Sequence, residues 1–246
     1  MLTLLLHLLP LPGARPIPAP AHYVITNRST TDMDLSAAGQ GVQSLSIVSK
    51  LFISTTLSDS AAGQVATIVV DSSSFDAGAF AAQLPAEMST SAKGASFHLY
   101  VVNGKSVSQI LPVPMSVQGA QAAPGIELLL AGLRSMKAGD SWTDTTTTDR
   151  SAGETSAKGT RIATWTAKQG EGGVLELDAT WNGTTTGGAG GSQMEMTVAG
   201  TSHVSAIGGQ LAQQAHANGT GSATMNLGGM SVPMKVTTET TVAPAP

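Results

Sequence analysis

Along much of the chain, apolar side chains fall on every second position, the period of a strand with one buried face. In residues 44–57, Leu45, Ile47, Leu51, Ile53 and Leu57 share one parity, although Val48 and Phe52 leave a helix open there. Leu175, Leu177, Ala179 and Trp181 alternate with Glu176, Asp178 and Thr180, which predicts a half-buried antiparallel strand. Residues 160–168 put Ala163, Trp165 and Ala167 on one parity, and 193–206 do the same with Met194, Met196, Val198 and Val204. In 231–242, Val232, Met234 and Val236 oppose Lys235, Thr237 and Glu239. Further strands are predicted over 23–31, 64–71, 96–102, 105–111 and 211–227.

Turn residues separate these runs. Asn103-Gly104 between two strand-like segments predicts a type I′ hairpin, because both central residues need positive φ. Turns are also expected at 59–63, Gly208-Gly209 and Gly228-Gly229, a Gly/Thr-rich loop at 184–191, and a bulge at Gly219 and Gly221. Pro233 predicts an edge position or a bulge for the last strand. Residues 72–94 read as irregular, with a short helix near 76–83.

The period changes once. Ile126, Leu129, Leu130 and Leu133 form an apolar stripe at i, i+3, i+4 and i+7, which predicts a helix over 125–136 after a proline-rich linker, 112–124. Glu127 early, and Arg134 and Lys137 late, complement its dipole, and Gly139 stops it. Strands joined by short turns around one helix imply a mainly β fold. The expected form is a large curved antiparallel sheet, or open half-barrel, with the amphipathic helix on its concave side. Residues 22–242 form a single domain in this reading, with a loose tail at 243–246.

Composition explains the outer faces. Only 11% of the 246 residues are charged, against roughly 25% in an ordinary soluble domain. Ser and Thr take the solvent-facing parity instead. There is no cysteine, so a disulfide framework, a thiolate zinc site, a Cys nucleophile and a lipid-modified Cys are excluded. A net charge of -4 argues against nucleic-acid binding, which needs clustered Lys and Arg. Residues 1–11 form an apolar run too short to span a bilayer. With the proline-rich stretch to Ala19-Pro20-Ala21, they read as a signal peptide over 1–21, lacking a basic start. Export to the periplasm or outside is therefore expected, with no transmembrane span in the mature chain.

Residues 137–142, Lys-Ala-Gly-Asp-Ser-Trp, and the run Trp-Thr-Asp-Thr-Thr-Thr-Thr-Asp at 142–149 resemble a group of uncharacterised bacterial exported proteins with a K-x-G-D-S-W step. The resemblance implies a β-rich envelope or secreted protein and brings no catalytic residues. The expected outline is also similar to periplasmic lipoprotein carriers, half-barrels that hold acyl chains under a helical lid. Read physically, the step is structural: Gly139 allows a sharp exit, Asp140 and Ser141 bond a turn, and Trp142 anchors a strand.

The search for reaction chemistry yields little. No G-x-S-x-G elbow or phosphate loop occurs, and Gly200-Thr201-Ser202-His203-Val204 lacks the second glycine. His22, His98, His203 and His216 show no H-E-x-x-H spacing, and Asp32 and Asp34 lack further ligands at calcium-loop spacing. Glu176 and Asp178 share a strand face about 7 Å apart and read as a solvated pair. No catalytic residue, cofactor or metal is expected. The chemistry favours a non-catalytic exported protein that binds a lipid or other apolar ligand. Leu129, Leu133, Met194, Met196, Met225 and Met234 are the expected lining, since Met adapts to irregular apolar spaces. The alternative is a structural or surface-interaction module of the bacterial envelope.

Overall fold

The computed structural model describes residues 21–60, 63–83, 93–102, 105–110, 117–152, 155–189, 192–227 and 229–246. Residues 1–20, which hold nearly all of the expected signal peptide, lie outside these, as do the turn residues Asn103 and Gly104. Among the described residues the fold is one open antiparallel sheet of eleven strands, a half-barrel carrying one α-helix. In chain order the strands are β1 (Ala21–Asp34), β2 (Val42–Ser60), β3 (Gly63–Asp76), β4 (Ser96–Val102) and β5 (Lys105–Ile110). The helix α1 (Val117–Ala131) follows. Then come β6 (Ser141–Ala152), β7 (Thr155–Gln169), β8 (Leu175–Ala189), β9 (Ser192–Ala206), β10 (Gln214–Leu227) and β11 (Met230–Pro244).

The spatial order is β5-β4-β3-β2-β1-β11-β10-β9-β8-β7-β6. The chain therefore begins at the middle of the sheet and steps out to one edge. It crosses to the other edge through α1 and steps back until β11 pairs with β1. Val102 pairs with Lys105, leaving room for the two-residue turn that Asn-Gly predicts.

Several local expectations change. The helix starts at Val117, so much of the expected linker is helical and Pro124 sits inside it. Proline there removes one main-chain donor, a loss that burial of Ile126, Leu128, Leu129, Leu130 and Leu133 outweighs. The expected loop at 184–191 is mostly strand, since β8 continues to Ala189. Gly219 and Gly221 make no bulge, as β10 keeps an unbroken register on both sides. Pro233 is tolerated in the central strand β11 because pairing with β1 ends at Met33 opposite Met234. The chain end is paired: Pro244 stands opposite Tyr23, and Ala245 N–H donates to the His22 carbonyl at 2.9 Å.

Inward side chains line up in rows across the sheet. One row, Ala167, Leu177, Val204, Ala215, Val242, Ile25 and Leu51, is wholly apolar and buried. The leucines of α1 join it in the main core. The link between β9 and β10 caps the helix end, with Ala212 N–H donating to Leu129 O at 3.0 Å and Gly209 N–H to Gly132 O at 3.1 Å. A second, smaller core lies at the other end of the strands, where Met33, Met194, Met196, Met225 and Met230 pack around Ala223, Val232 and Met234.

Candidate functional site

Next to the apolar row the inward face changes character. The neighbouring row reads Trp165, Ala179, Ser202, Ala217, Thr240, Asn27 and Ser49. The row beyond reads Ala163, Trp181, Gly200, Gly219, Thr238, Ser29 and Ile47. Small and hydroxyl side chains in these rows leave volume under the helix that apolar residues fill elsewhere.

That volume is a cavity of about 400 Å³. Its floor is Asn27, Ser29, Ile47, Ser49, Ala217, Thr238 and Thr240, from four adjacent central strands. Pro124 and Leu128 of α1 also line it, as do Trp181 and Arg161, with Arg28 and Glu239 completing the lining. A smaller cavity of about 120 Å³ lies toward β6 and β7, and it shares Leu128 and Arg161 with the first. These two residues thus separate the spaces.

Trp181 owes its position to glycine. It pairs directly with Gly200, which pairs with Gly219. A methyl at either glycine would stand 2.5 Å from the indole ring. The Arg161 guanidinium carbon stacks over the indole at 5.0 Å, and its Nη1 donates to Glu127 Oε2 at 2.7 Å. The cation thereby ties the sheet floor to the helix. Thr240 Oγ1 donates to Asn27 Oδ1 at 2.8 Å. Among the described residues, Ser49 Oγ, Thr55 Oγ1, Ser60 Oγ, Arg161 Nε, Trp181 Nε1 and Ser202 Oγ are buried with no hydrogen-bond partner. Such atoms are uncommon in folded proteins, and three of the six belong to residues lining the cavity.

None of the six residues expected to line a ligand site borders this cavity. Leu129 and Leu133 are buried in the main core, at 0% and 6% exposure. Met194, Met196, Met225 and Met234 share the second core, as their common parity predicts, but they lie at the far end of the strands. Met194 also borders a polar hollow with Lys158, Glu195 and Asn226. The signal for the cavity is a polar interruption of the inward parity: Ser49 between Ile47 and Leu51, and Thr240 before Val242. It becomes a site only once the strand order aligns these positions.

The outer face of β7, β8 and β9 holds a cluster of charged groups. His203 Nδ1 lies 2.8 Å from Asp178 Oδ1, and its Nε2 lies 3.0 Å from Glu176 Oε2. Lys168 Nζ lies 2.6 Å from Asp178 Oδ2, and Ser205 donates to Glu176 at 2.6 Å. Hydrogen bonds from His203, then from Lys168, hold the Asp178 carboxyl below its ordinary range. Every member of the cluster is a partnered side chain on the solvent side of the sheet. Among the described residues, no three His, Asp or Glu side chains gather as a metal-binding group.

The Gly-Asp-Ser-Trp step has a structural job. Gly139 adopts φ +96°, and its N–H donates to Ala167 O at 2.8 Å. Asp140 accepts from Lys137 N–H at 2.8 Å, and Ser141 Oγ donates to Trp165 O at 2.8 Å. Trp142 stacks on Trp165 with centroids 6.0 Å apart. Its Nε1 donates to Asp144, which also binds Arg134 Nη2 through both oxygens at 2.9 Å. The edge strand β6 is thus fastened to the segment that follows α1.

No protein-family model matches the chain, and no curated protein matches it. Among the described residues, no helix is long and apolar enough to cross a membrane.

Proposed function

We propose that the protein is a non-catalytic carrier that holds a lipid or similar apolar ligand between α1 and the concave face of its sheet. The observation that carries this reading is the cavity of about 400 Å³ lined by Ile47, Ala217, Leu128, Pro124 and Trp181. Small-molecule sites commonly occupy about 300–1,000 Å³ and are lined mainly by apolar and aromatic side chains. The helix packs closely through Leu129 and Leu130, both almost fully buried, yet the contact opens beyond Leu128. Export, expected from residues 1–21, fits a carrier that works outside the cytoplasm.

The test is to fill the cavity. Ala217 is 8% exposed on its floor, so Ala217→Leu places an isobutyl group in the ligand's space. Purified full-length protein should bind the fluorescent probe N-phenyl-1-naphthylamine, and Ala217→Leu should lose that binding while keeping its β-sheet circular dichroism. Thr238→Leu, from the neighbouring row, gives a second filled variant should the first unfold. Undiminished probe binding in a folded filled variant, or none in the wild type, refutes the carrier reading and favours the surface-module alternative.

A further inference from the structure

The larger cavity is closed on one side by two side chains, and on the carrier reading above that wall limits what the ligand can be. Leu128 comes from α1 and Arg161 from β7, and both line the larger and the smaller space. Arg161 stands on the inward parity of β7, two residues before Ala163. Its neighbour on β8 is Gly183, which has no side chain to crowd it. The guanidinium can therefore lie over Trp181 at 5.0 Å and still reach Glu127 of the helix at 2.7 Å. Its methylene stem spans from sheet to helix, an apolar body with a charged tip. Leu128, 2% exposed, completes the wall from the helix side.

The space behind the wall is slender. At about 120 Å³ it is smaller than the cavity of about 150 Å³ that holds one benzene. It has room for the end of an alkyl chain and none for a ring. Leu130, Ala131, Ala163, Trp142 and Trp165 give it an apolar lining, and the Arg134–Asp144 pair borders it as well. A hydrocarbon chain that filled the larger space would gain by continuing into the smaller one. Leu128 and Arg161 stand in its path. We infer that Arg161, opposed by Leu128, sets the length of a single linear hydrocarbon chain, which the carrier holds up to this wall and no further.

The experiment is a series of 1-alkanols, from octanol to hexadecanol, each displacing N-phenyl-1-naphthylamine from the full-length protein. In the wild type, affinity should climb about fourfold with each added methylene, the worth of burying one, and then stop climbing at one length. Arg161→Ala removes the stem and should move that stop outward. The alcohol two methylenes beyond the wild-type stop should then bind at least about tenfold more tightly than it binds the wild type. Arg161→Met keeps the bulk without the charge and should keep the wild-type stop. If Arg161→Ala instead weakens every alcohol by one factor and leaves the stop unmoved, Arg161 only fastens the helix to the sheet and the length assignment is overturned. A stop in Arg161→Met as long as in Arg161→Ala overturns it too, as does a wild-type affinity that climbs without a stop. Should Arg161→Ala lose its β-sheet circular dichroism, Leu128→Ala opens the wall from the helix side, and an unmoved stop there has the same force. All these outcomes leave the carrier reading intact. If the probe binds and no alcohol displaces it, the length assignment also falls, whereas failure of the probe itself refutes the carrier reading.

Discussion

Gly219→Ala tests the glycine bed on which Trp181 rests. The added methyl would stand 2.5 Å from Trp181 Cη2, 3.0 Å from Cζ2 and 2.8 Å from Thr238 Oγ1. Carbon atoms rest at about 3.5–4.0 Å, so the ring must retreat by about 1 Å. Arg161 lies on the indole and is itself held to Glu127, so the retreat strains that link too. Overpacking of this kind costs about 1–3 kcal/mol. Replacing a strand glycine returns about 0.5–1 kcal/mol, leaving a net loss of up to about 2.5 kcal/mol. For a chain of this size that lowers Tm by up to about 10 °C. The assay is a double-mutant cycle followed by thermal and urea denaturation. In a Trp181→Ala background the indole is gone and only the rotatable Thr238 hydroxyl stays close, so Gly219→Ala should become neutral or stabilising by up to about 1 kcal/mol. Costs that add to within about 0.5 kcal/mol would show that the indole does not dictate glycine at this position.

Asp144→Asn should destabilise the protein by about 1.5–3 kcal/mol, because Asp144 accepts from both Arg134 and Trp142 in a largely buried setting. Hydrogen exchange should show the loss concentrated in β6, and protection equal to the wild type would refute the fastening role. Asp178 titrates lower in the folded state than its unfolded value of about 3.9. Its stabilising contribution is therefore full above that value and is lost as pH falls through the folded one. Because the side chain is 42% exposed, the contribution is no more than about 1 kcal/mol. Asp178→Asn should flatten the acid limb of a stability–pH curve measured from pH 7 to 3, and an unchanged limb would contradict the hydrogen-bond account.

The architecture was readable because alternation is a strong signal when one face is buried. Leu175, Leu177 and Ala179 on β8, and Val204 on β9, lie inside as their parity requires. The helix stripe from Ile126 to Leu133 is likewise buried. The helix start was hidden because prolines on either side read as a linker, and packing of the later turns overrode that local signal. The cavity was hidden for a different reason. Parity tells which side chains face inward, but it does not tell which inward rows the helix covers. Parity alone therefore points to the methionine-rich positions, which pack in the second core, while the cavity lies near mid-strand. It is built by Asn27, Ser49 and Thr240, which come together only because β1 sits between β2 and β11.

That arrangement of β1 has a consequence for how the chain acquires its structure. Every ladder in the sheet but one joins strands consecutive in sequence; the exception is β1 with β11, which sets Tyr23 against Pro244. Residues 21–110 and 141–244 can each zip locally, hairpin by hairpin, at little loop-closure cost. The seam between the two wings must wait for the final strand to leave the ribosome. The cavity floor straddles that seam, so the cavity itself forms only with the last pairing event. Until then, β1 and β11 are each exposed to stray pairing along one side.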